Sequence, residues 1–316
     1  MHQTLAPLSA LLIGLGLSTA VHSAPFHLTL PEQPKVELKQ APEKIAVYDL
    51  AILDTLNALN IDAAIVPETT FQGSLSKYQQ AQYLKAGTLF EPDLKLLKQA
   101  QPELIFVGGR SAKTAEQLQN IAPTLHLSAN TDHYMSDLTA RTQVLAAAFN
   151  KEEIAQQKLS EIVQLHQALK AKTKGKTALM LFAAGDNWMP HAANNRFGFA
   201  YELSGLKSVL PLSEKTDAPR PATGSPEALA LAQKNAEILK NAVKQAPDYL
   251  IVLDRGAVNT QQYAAKEKIL SHSILGQSQA VKNGKVIFVN ADAWYLTGAG
   301  LDNTQFMLKE LAQAIP

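Results

Sequence analysis

At 316 residues the chain has room for two domains of ordinary size, and its 29 basic and 28 acidic side chains, mixed along the sequence, leave a formal charge of +1. That balance excludes the basic footprint of a nucleic-acid binder, while leaving room for a few arginines focused on a small anion. Cysteine is absent, which removes disulfides, thiolate metal ligands and cysteine nucleophiles.

The first stretch, MHQTLAPLSALLIGLGLSTAVHSAP, reads as an export signal over residues 1–24. Its apolar run from Leu5 to Leu17 falls short of the roughly 20 residues a membrane span needs. Small residues follow, with Ala20 and Ala24 as the candidate last residues before cleavage and Ala20 preferred because Pro25 directly follows Ala24. No cysteine ends the run to carry a lipid anchor, so the expected destination is the periplasm, in soluble form. Residues 27–40, punctuated by proline, read as an extended lead-in.

KIAVYDL (44–50) is the first clear strand, followed by the helical DTLNALN and a second strand in IDAAIVPE. This is βαβ spacing, which favours a parallel sheet. Residues 72–89 are expected to be loop and short helix, and 93–99 a helix. ELIFVGG follows as a strand with Arg110 just beyond it, then a short helix over 111–120 and a strand at TLHLS. From Ser136 to Lys172 apolar residues recur at helical spacing with one break at Asn150. Asn150 and Glu153 fit a capping box, which predicts a helix of about six turns over 150–172.

The second half repeats the logic. TALMLFAAG is a strand, and DNWMPHAANNRFGFAYELSG a long loop entering a helix near Phe199. Residues 211–226 read as a surface loop. A helix is predicted over 225–246, with Ser225 as N-cap, Pro226 at the first helical position and Glu227 in the first turn. DYLIVLDR is a strand ending at Arg255, KVIFVN the last strand, and 302–314 a closing helix. PELIFVGGR and PDYLIVLDR share one plan, proline, acid, apolar strand and arginine. The expected fold is therefore α/β, with two Rossmann-like lobes (25–149 and 173–316) joined by a long helix at 150–172.

In open α/β sheets ligands bind beyond the carboxyl ends of the strands. Arg110 and Arg255 stand there, and Arg196 lies in the long loop. Three such cations meeting at one cleft imply a strongly negative ligand, because the guanidinium is a fixed fork of donors that keeps its proton. Trp188, Phe197, Trp294 and Tyr295 lie near them in sequence, available to stack on a planar ligand or to close the lobe cores. The histidines do not cluster and no HExxH occurs, which argues against a zinc hydrolase. No GxSxG elbow or dinucleotide fingerprint is present, and no enzymatic activity is expected.

Four stretches carry a family resemblance: GTLFEPDLKLLKQAQPELIFVGGRSAK, NNRFGFAYELSG, APDYLIVLDRGA and NADAWYLTGAGLDN. With them the chain resembles the iron-siderophore substrate-binding proteins of ABC importers, in the class III periplasmic binding proteins with a helical backbone. RFG and WYLxGAG resemble the branch that handles catecholates such as enterobactin; haem, cobalamin and hydroxamate carriers share the fold. The resemblance implies that Arg110, Arg196 and Arg255 face a ferric catecholate, with Trp188, Trp294 and Tyr295 in the pocket and Tyr295 able to coordinate iron(III) directly. It implies no intrinsic cofactor, since the iron is cargo, and a monomer that docks on an inner-membrane ABC permease through acids such as Glu68 and Glu202. Relatives that use the tyrosine commonly pair it with a histidine ahead of the helix before the third arginine. Here that region reads TDAPRPATGSPEALALA, without histidine and with Arg220 as an added cation.

Overall fold

The computed structural model describes residues 25–214, 221–222 and 224–316. The expected export signal and Arg220 lie outside the described residues. The lead-in is a small antiparallel hairpin, β1 (Phe26–Leu28) with β2 (Val36–Leu38), instead of unpaired extended chain. The first lobe then runs β3 (Ile45–Tyr48), α1 (Leu50–Ala58), β4 (Ile65–Val66), β5 (Leu84–Lys85), α2 (Leu94–Ala100), β6 (Leu104–Val107), α3 (Ala115–Gln119) and β7 (Thr124–His126). Its five strands form a parallel sheet in the order β5-β4-β3-β6-β7. Every residue of β3 and β6 is buried, as expected of parallel strands covered on both faces. Asp49 and Asp93 cap α1 and α2, accepting the Ile52 and Leu96 amides.

Two helices follow, α4 (Tyr134–Ala148) and α5 (Glu152–Thr173). The break falls where the periodicity places it, but Asn150 is no N-cap. It takes φ of 54° and terminates α4, while the Lys151 amide reaches back 2.8 Å to the Ala146 carbonyl. That is the Schellman closure, for which asparagine tolerates the left-handed region better than most side chains do. The N-cap of α5 is Lys151, with no side-chain cap. At 22 residues α5 is about 33 Å long.

The second lobe comprises β8 (Thr177–Ala184), β9 (Asn187–His191), α6 (Phe199–Ser204), β10 (Lys207–Ser208), α7 (Pro226–Lys244), β11 (Tyr249–Asp254), α8 (Ala265–Ser271), α9 (Gln279–Lys282), β12 (Val286–Phe288) and α10 (Leu301–Ala314). The order β10-β8-β11-β12 is parallel, and β9 folds back antiparallel on β8. The start of the expected long loop is thus a hairpin. β10 pairs with Thr177 and Ala178 of β8, and β9 with Met180 to Ala184. Ser225 caps α7 as its sequence predicts, with Oγ accepting the Ala228 amide at 3.2 Å.

One apolar core runs through both lobes. It joins Leu104 and Phe106 of the first sheet, Leu159 and Ile162 of α5, Met180 and Ile251 of the second sheet, and Leu308 of α10. The outer face of each sheet has its own cluster: Ile105 and Val107 with Leu97 and Leu118, and Leu181 and Val252 with Leu239. Although last in sequence, α10 packs on α5 and on α1, so the chain's end is shared between the lobes. Among the described residues, no helix is long and apolar enough to cross a membrane.

Candidate functional site

Each arginine is set by a short turn whose form the local sequence dictates. After β6 the chain passes so close to the α1 cap that a Cβ on Gly108 would fall 1.9 Å from Asp49 Oδ2. Glycine is needed there for close approach, and two residues later Arg110 leaves the sheet. Arg196 sits in the loop between β9 and α6, where Asn195 Oδ1 accepts the Ala192 amide at 2.8 Å. The following Gly198 packs so tightly that a Cβ would lie 2.1 Å from the Ala193 carbonyl oxygen. Arg255 directly follows β11, and its turn is held by the buried Asp254, which accepts the Gly256 and Ala265 amides at 2.9 and 2.8 Å.

Tyr295 lies in a single π-helical turn, Ala293–Thr297, between β12 and α10. Such turns recur at functional sites because they swing one side chain out of helical register. Asn303 Nδ2 ties its two ends together, donating to the Ala293 carbonyl at 2.9 Å and the Gly298 carbonyl at 2.6 Å.

These elements gather the three arginines around one ring. The guanidinium carbons of Arg255, Arg196 and Arg110 lie 4.7, 4.9 and 5.9 Å from the Tyr295 ring centre. Phe182 stacks on Tyr295 at 5.9 Å with the planes 14° apart, and Phe197 lies 6.2 Å away, itself under Arg196. Arg110 also crosses between the lobes: Nη2 donates to the Tyr295 carbonyl at 2.6 Å and Nη1 to the Leu296 carbonyl at 3.2 Å. The site is a flat aromatic wall set with guanidinium groups.

The cations alter their neighbours' acidity. Burial works to raise the Tyr295 pKa, but Arg196 and Arg255 outweigh it by charge and hydrogen bonding and bring the phenol below its usual value. Burial lowers the pKa of Arg110; Asp49 opposes this, while Arg196 and Arg255 add to it by repulsion. His191 borders the same wall, its ring 5.1 Å from Phe197 and 6.3 Å from Phe182. Burial and then Arg196 push its pKa down to about 4, so it is neutral at pH 7, and its buried Nδ1 has no hydrogen-bond partner among the described residues.

The two tryptophans are placed elsewhere. In the β8–β9 ladder Ala183 opposes Trp188 and Phe182 opposes Met189, so Trp188 points to the sheet face opposite Phe182. It joins the outer core with Leu239 and lines a separate pocket of about 340 Å³ between β9 and α7. Trp294 is 2% exposed, stacks on Phe199 at 5.3 Å and donates Nε1 to Glu310 Oε2 at 2.7 Å. It belongs to the core beneath the Tyr295 turn. Glu202 is engaged as well: its carboxylate accepts the Tyr134 and Met135 amides at 2.9 and 3.0 Å, capping the start of α4. Glu68 is exposed beyond β4. Phe182 is absent from the set expected from sequence because it is embedded in an unbroken apolar strand, and only the sheet's facing distinguishes it from Leu181.

Among the described residues, no group of three or more histidine, aspartate and glutamate side chains is placed to hold a metal ion. The arrangement offers charge, hydrogen-bond donors and an aromatic surface, with no nucleophile activated by a base.

Two α/β lobes joined by a long helix, sharing a cationic aromatic site between their strand ends, define a ligand-capturing protein of the two-lobed binding class. The chain belongs to the periplasmic binding protein family, whose sequence pattern matches residues 45–293. Members of this family bind their ligands without transforming them. The chain is 27% identical over 278 residues to the petrobactin-binding protein YclQ of Bacillus subtilis, covering 87% of this chain and 83% of that one. It is 28% identical over 283 residues to the ferric-anguibactin-binding protein FatB of Vibrio anguillarum, with coverage of 87% and 83%. Among solved structures, the siderophore-binding protein BauB, bound to a complex of two acinetobactin molecules and ferric iron, superposes with a TM-score of 0.76 at 26% identity over 92% of this chain and 99% of that one.

Proposed function

We propose that this protein is the soluble periplasmic component of an ABC iron importer and captures a ferric siderophore, specifically an anionic catecholate complex, between lobes 25–149 and 173–316. The observation that carries this reading is the convergence of Arg110, Arg196 and Arg255 on the Tyr295 ring, beside Phe182 and Phe197. A ferric catecholate presents negative oxygens on an aromatic shell. Guanidinium groups bind such oxygens through charge-assisted hydrogen bonds without removing the iron, and the phenylalanines supply a face for the rings. The relatives named above support an iron(III) chelate as the ligand class. Where a siderophore leaves the iron coordination incomplete, the Tyr295 phenolate is the hard oxygen donor at hand. The continuous core through α5 favours a small closure, after which the loaded protein docks on its permease through exposed carboxylates such as Glu68.

The test is quenching of tryptophan fluorescence by ferric complexes of a hexadentate catecholate, a tetradentate catecholate and a hydroxamate, with haem as control. Tight catecholate binding that is lost in Arg196→Ala and Arg255→Ala supports the reading. Binding of haem alone, or catecholate binding indifferent to both arginines, overturns it.

A further inference from the structure

The three arginines are not equivalent. Arg196 and Arg255 face the Tyr295 ring and its hydroxyl from the second lobe. Arg110, from the first lobe, is the most distant from the ring and spends both terminal nitrogens on main-chain carbonyls of the Tyr295 turn. Two bonds from one planar fork to successive carbonyls fix orientation as well as distance, which a lysine cannot reproduce.

The main chain beyond this turn is held from α1 of the first lobe and from α4 too. Arg141 of α4, 5% exposed, donates Nη2 to the Ala299 carbonyl at 2.8 Å. The Leu301 amide donates to Thr55 Oγ1 at 3.2 Å and the Asn303 amide to Asp54 Oδ2 at 2.9 Å, both acceptors on α1. Tyr134 of α4 meets Thr304 Oγ1 at 2.8 Å. The Tyr295 side chain, in contrast, rests on Phe182 and the arginines of the second lobe. The Tyr295 turn is therefore a joint: Asn303 ties the two ends of its backbone within its own lobe, Arg110 holds the middle from the first lobe, and the ring is seated on the second.

We propose that Arg110 is a positioning residue: it holds the Tyr295 backbone from across the cleft so that the phenol stays seated between Arg196 and Arg255, and it acts on the ligand through that tyrosine. This deepens the ferric-siderophore reading, and its affinity test rests on that reading; its ionisation test does not.

In the ligand-free protein, the Tyr295 phenol is followed by alkaline absorbance difference between each protein and its Tyr295→Phe counterpart. Arg110→Lys keeps the charge and loses the fork. If Arg110 positions the ring, Arg110→Lys raises the ionisation midpoint as Arg110→Ala does. In the ligand arm, Arg110→Ala weakens binding of a ferric catecholate about tenfold in the native background and less than about twofold in the Tyr295→Phe background, the coupling expected of residues acting as a unit. Circular dichroism confirms that each variant is folded; Arg110→Gln replaces any that is not. A native midpoint in Arg110→Lys, or losses for Arg110 and Tyr295 that simply add, overturns the proposal and makes Arg110 a direct ligand cation. If no ferric complex binds the native protein, the siderophore reading fails and the ionisation arm alone decides the role of Arg110.

Discussion

The guanidinium carbon of Arg255 lies 4.7 Å from the centre of the Tyr295 ring, nearer than either of the other arginines. This phenol is the group on which the cations converge, and they bring its pKa below the usual value against the opposing effect of burial. Burial moves the phenols of Tyr48, Tyr78 and Tyr134 the other way. Tyr295 is therefore expected to ionise before these buried tyrosines in an alkaline titration. Arg255→Ala and Arg196→Ala should each raise its midpoint, and Tyr295→Phe should remove that phase. An early phase that survives Tyr295→Phe would assign the lowered pKa to another tyrosine.

Trp188 and His191, three residues apart on β9, face opposite sides of the second sheet. Trp188→Phe should leave ferric-catecholate affinity within about twofold, since it changes only packing behind the site. His191 borders Phe197 and Arg196 and stays neutral until pH falls to about 4. Affinity measured from about pH 5.5 to 7.5 should then show no inflection that His191→Gln removes, unlike an ordinary histidine titrating near 6.5. Such an inflection would mean that the ring is solvated or paired with an acid.

The contrast between these two residues shows what the sequence makes legible. The parallel strands are long apolar runs, and the arginines beyond β6 and β11 follow from where those runs stop. Arg110, Arg255, the Ser225 cap and the α4–α5 break are readable for that reason. β9 is not, because NWMPH contains a proline and only five residues, and its strand character comes from pairing with β8. Without that pairing no alternation assigns Trp188 outward and His191 inward. Asn150 misleads for a related reason: asparagine suits both helix starts and left-handed helix ends, and the choice is made by Lys151 closing on Ala146. The crossing of Arg110 to the Tyr295 turn links positions 185 apart, which no local pattern encodes.

Gly108 tests how the Arg110 turn is set. An added methyl would overlap the Asp49 carboxylate that caps α1, whereas at Gly109 the nearest atom stands 3.7 Å from the added carbon. Gly108→Ala should destabilise the protein by about 1–3 kcal/mol, the usual range for overpacking, and should weaken ligand binding by displacing Arg110. Gly109→Ala should be close to neutral in both. Urea denaturation of the two variants checks the difference; equal effects would show that the Asp49 cap yields at little cost.

Asp54 is a fully buried carboxyl joining the lobes, accepting the Asn303 amide of α10 at 2.9 Å and the Ser74 hydroxyl at 2.5 Å. Burial raises its pKa from the ordinary 3.8 to about 6, against the lowering effect of those hydrogen bonds. The folded protein therefore binds this proton more tightly than the unfolded chain does. Its contribution is fully present below pH 3.8 and is lost as pH rises through about 6. At about 1.4 kcal/mol per unit the difference is at most about 3 kcal/mol. His191 works in the opposite sense: its depressed pKa favours the folded state above 6.5, and that advantage is lost as pH falls toward about 4. The two largely offset one another in the native protein. Asp54→Asn keeps the shape, abolishes the titration and leaves His191 unopposed, so its stability in urea should fall more steeply than the native protein's between about pH 6.5 and 4.5. Parallel pH profiles for the two proteins would show that Asp54 ionises alike in the folded and unfolded states.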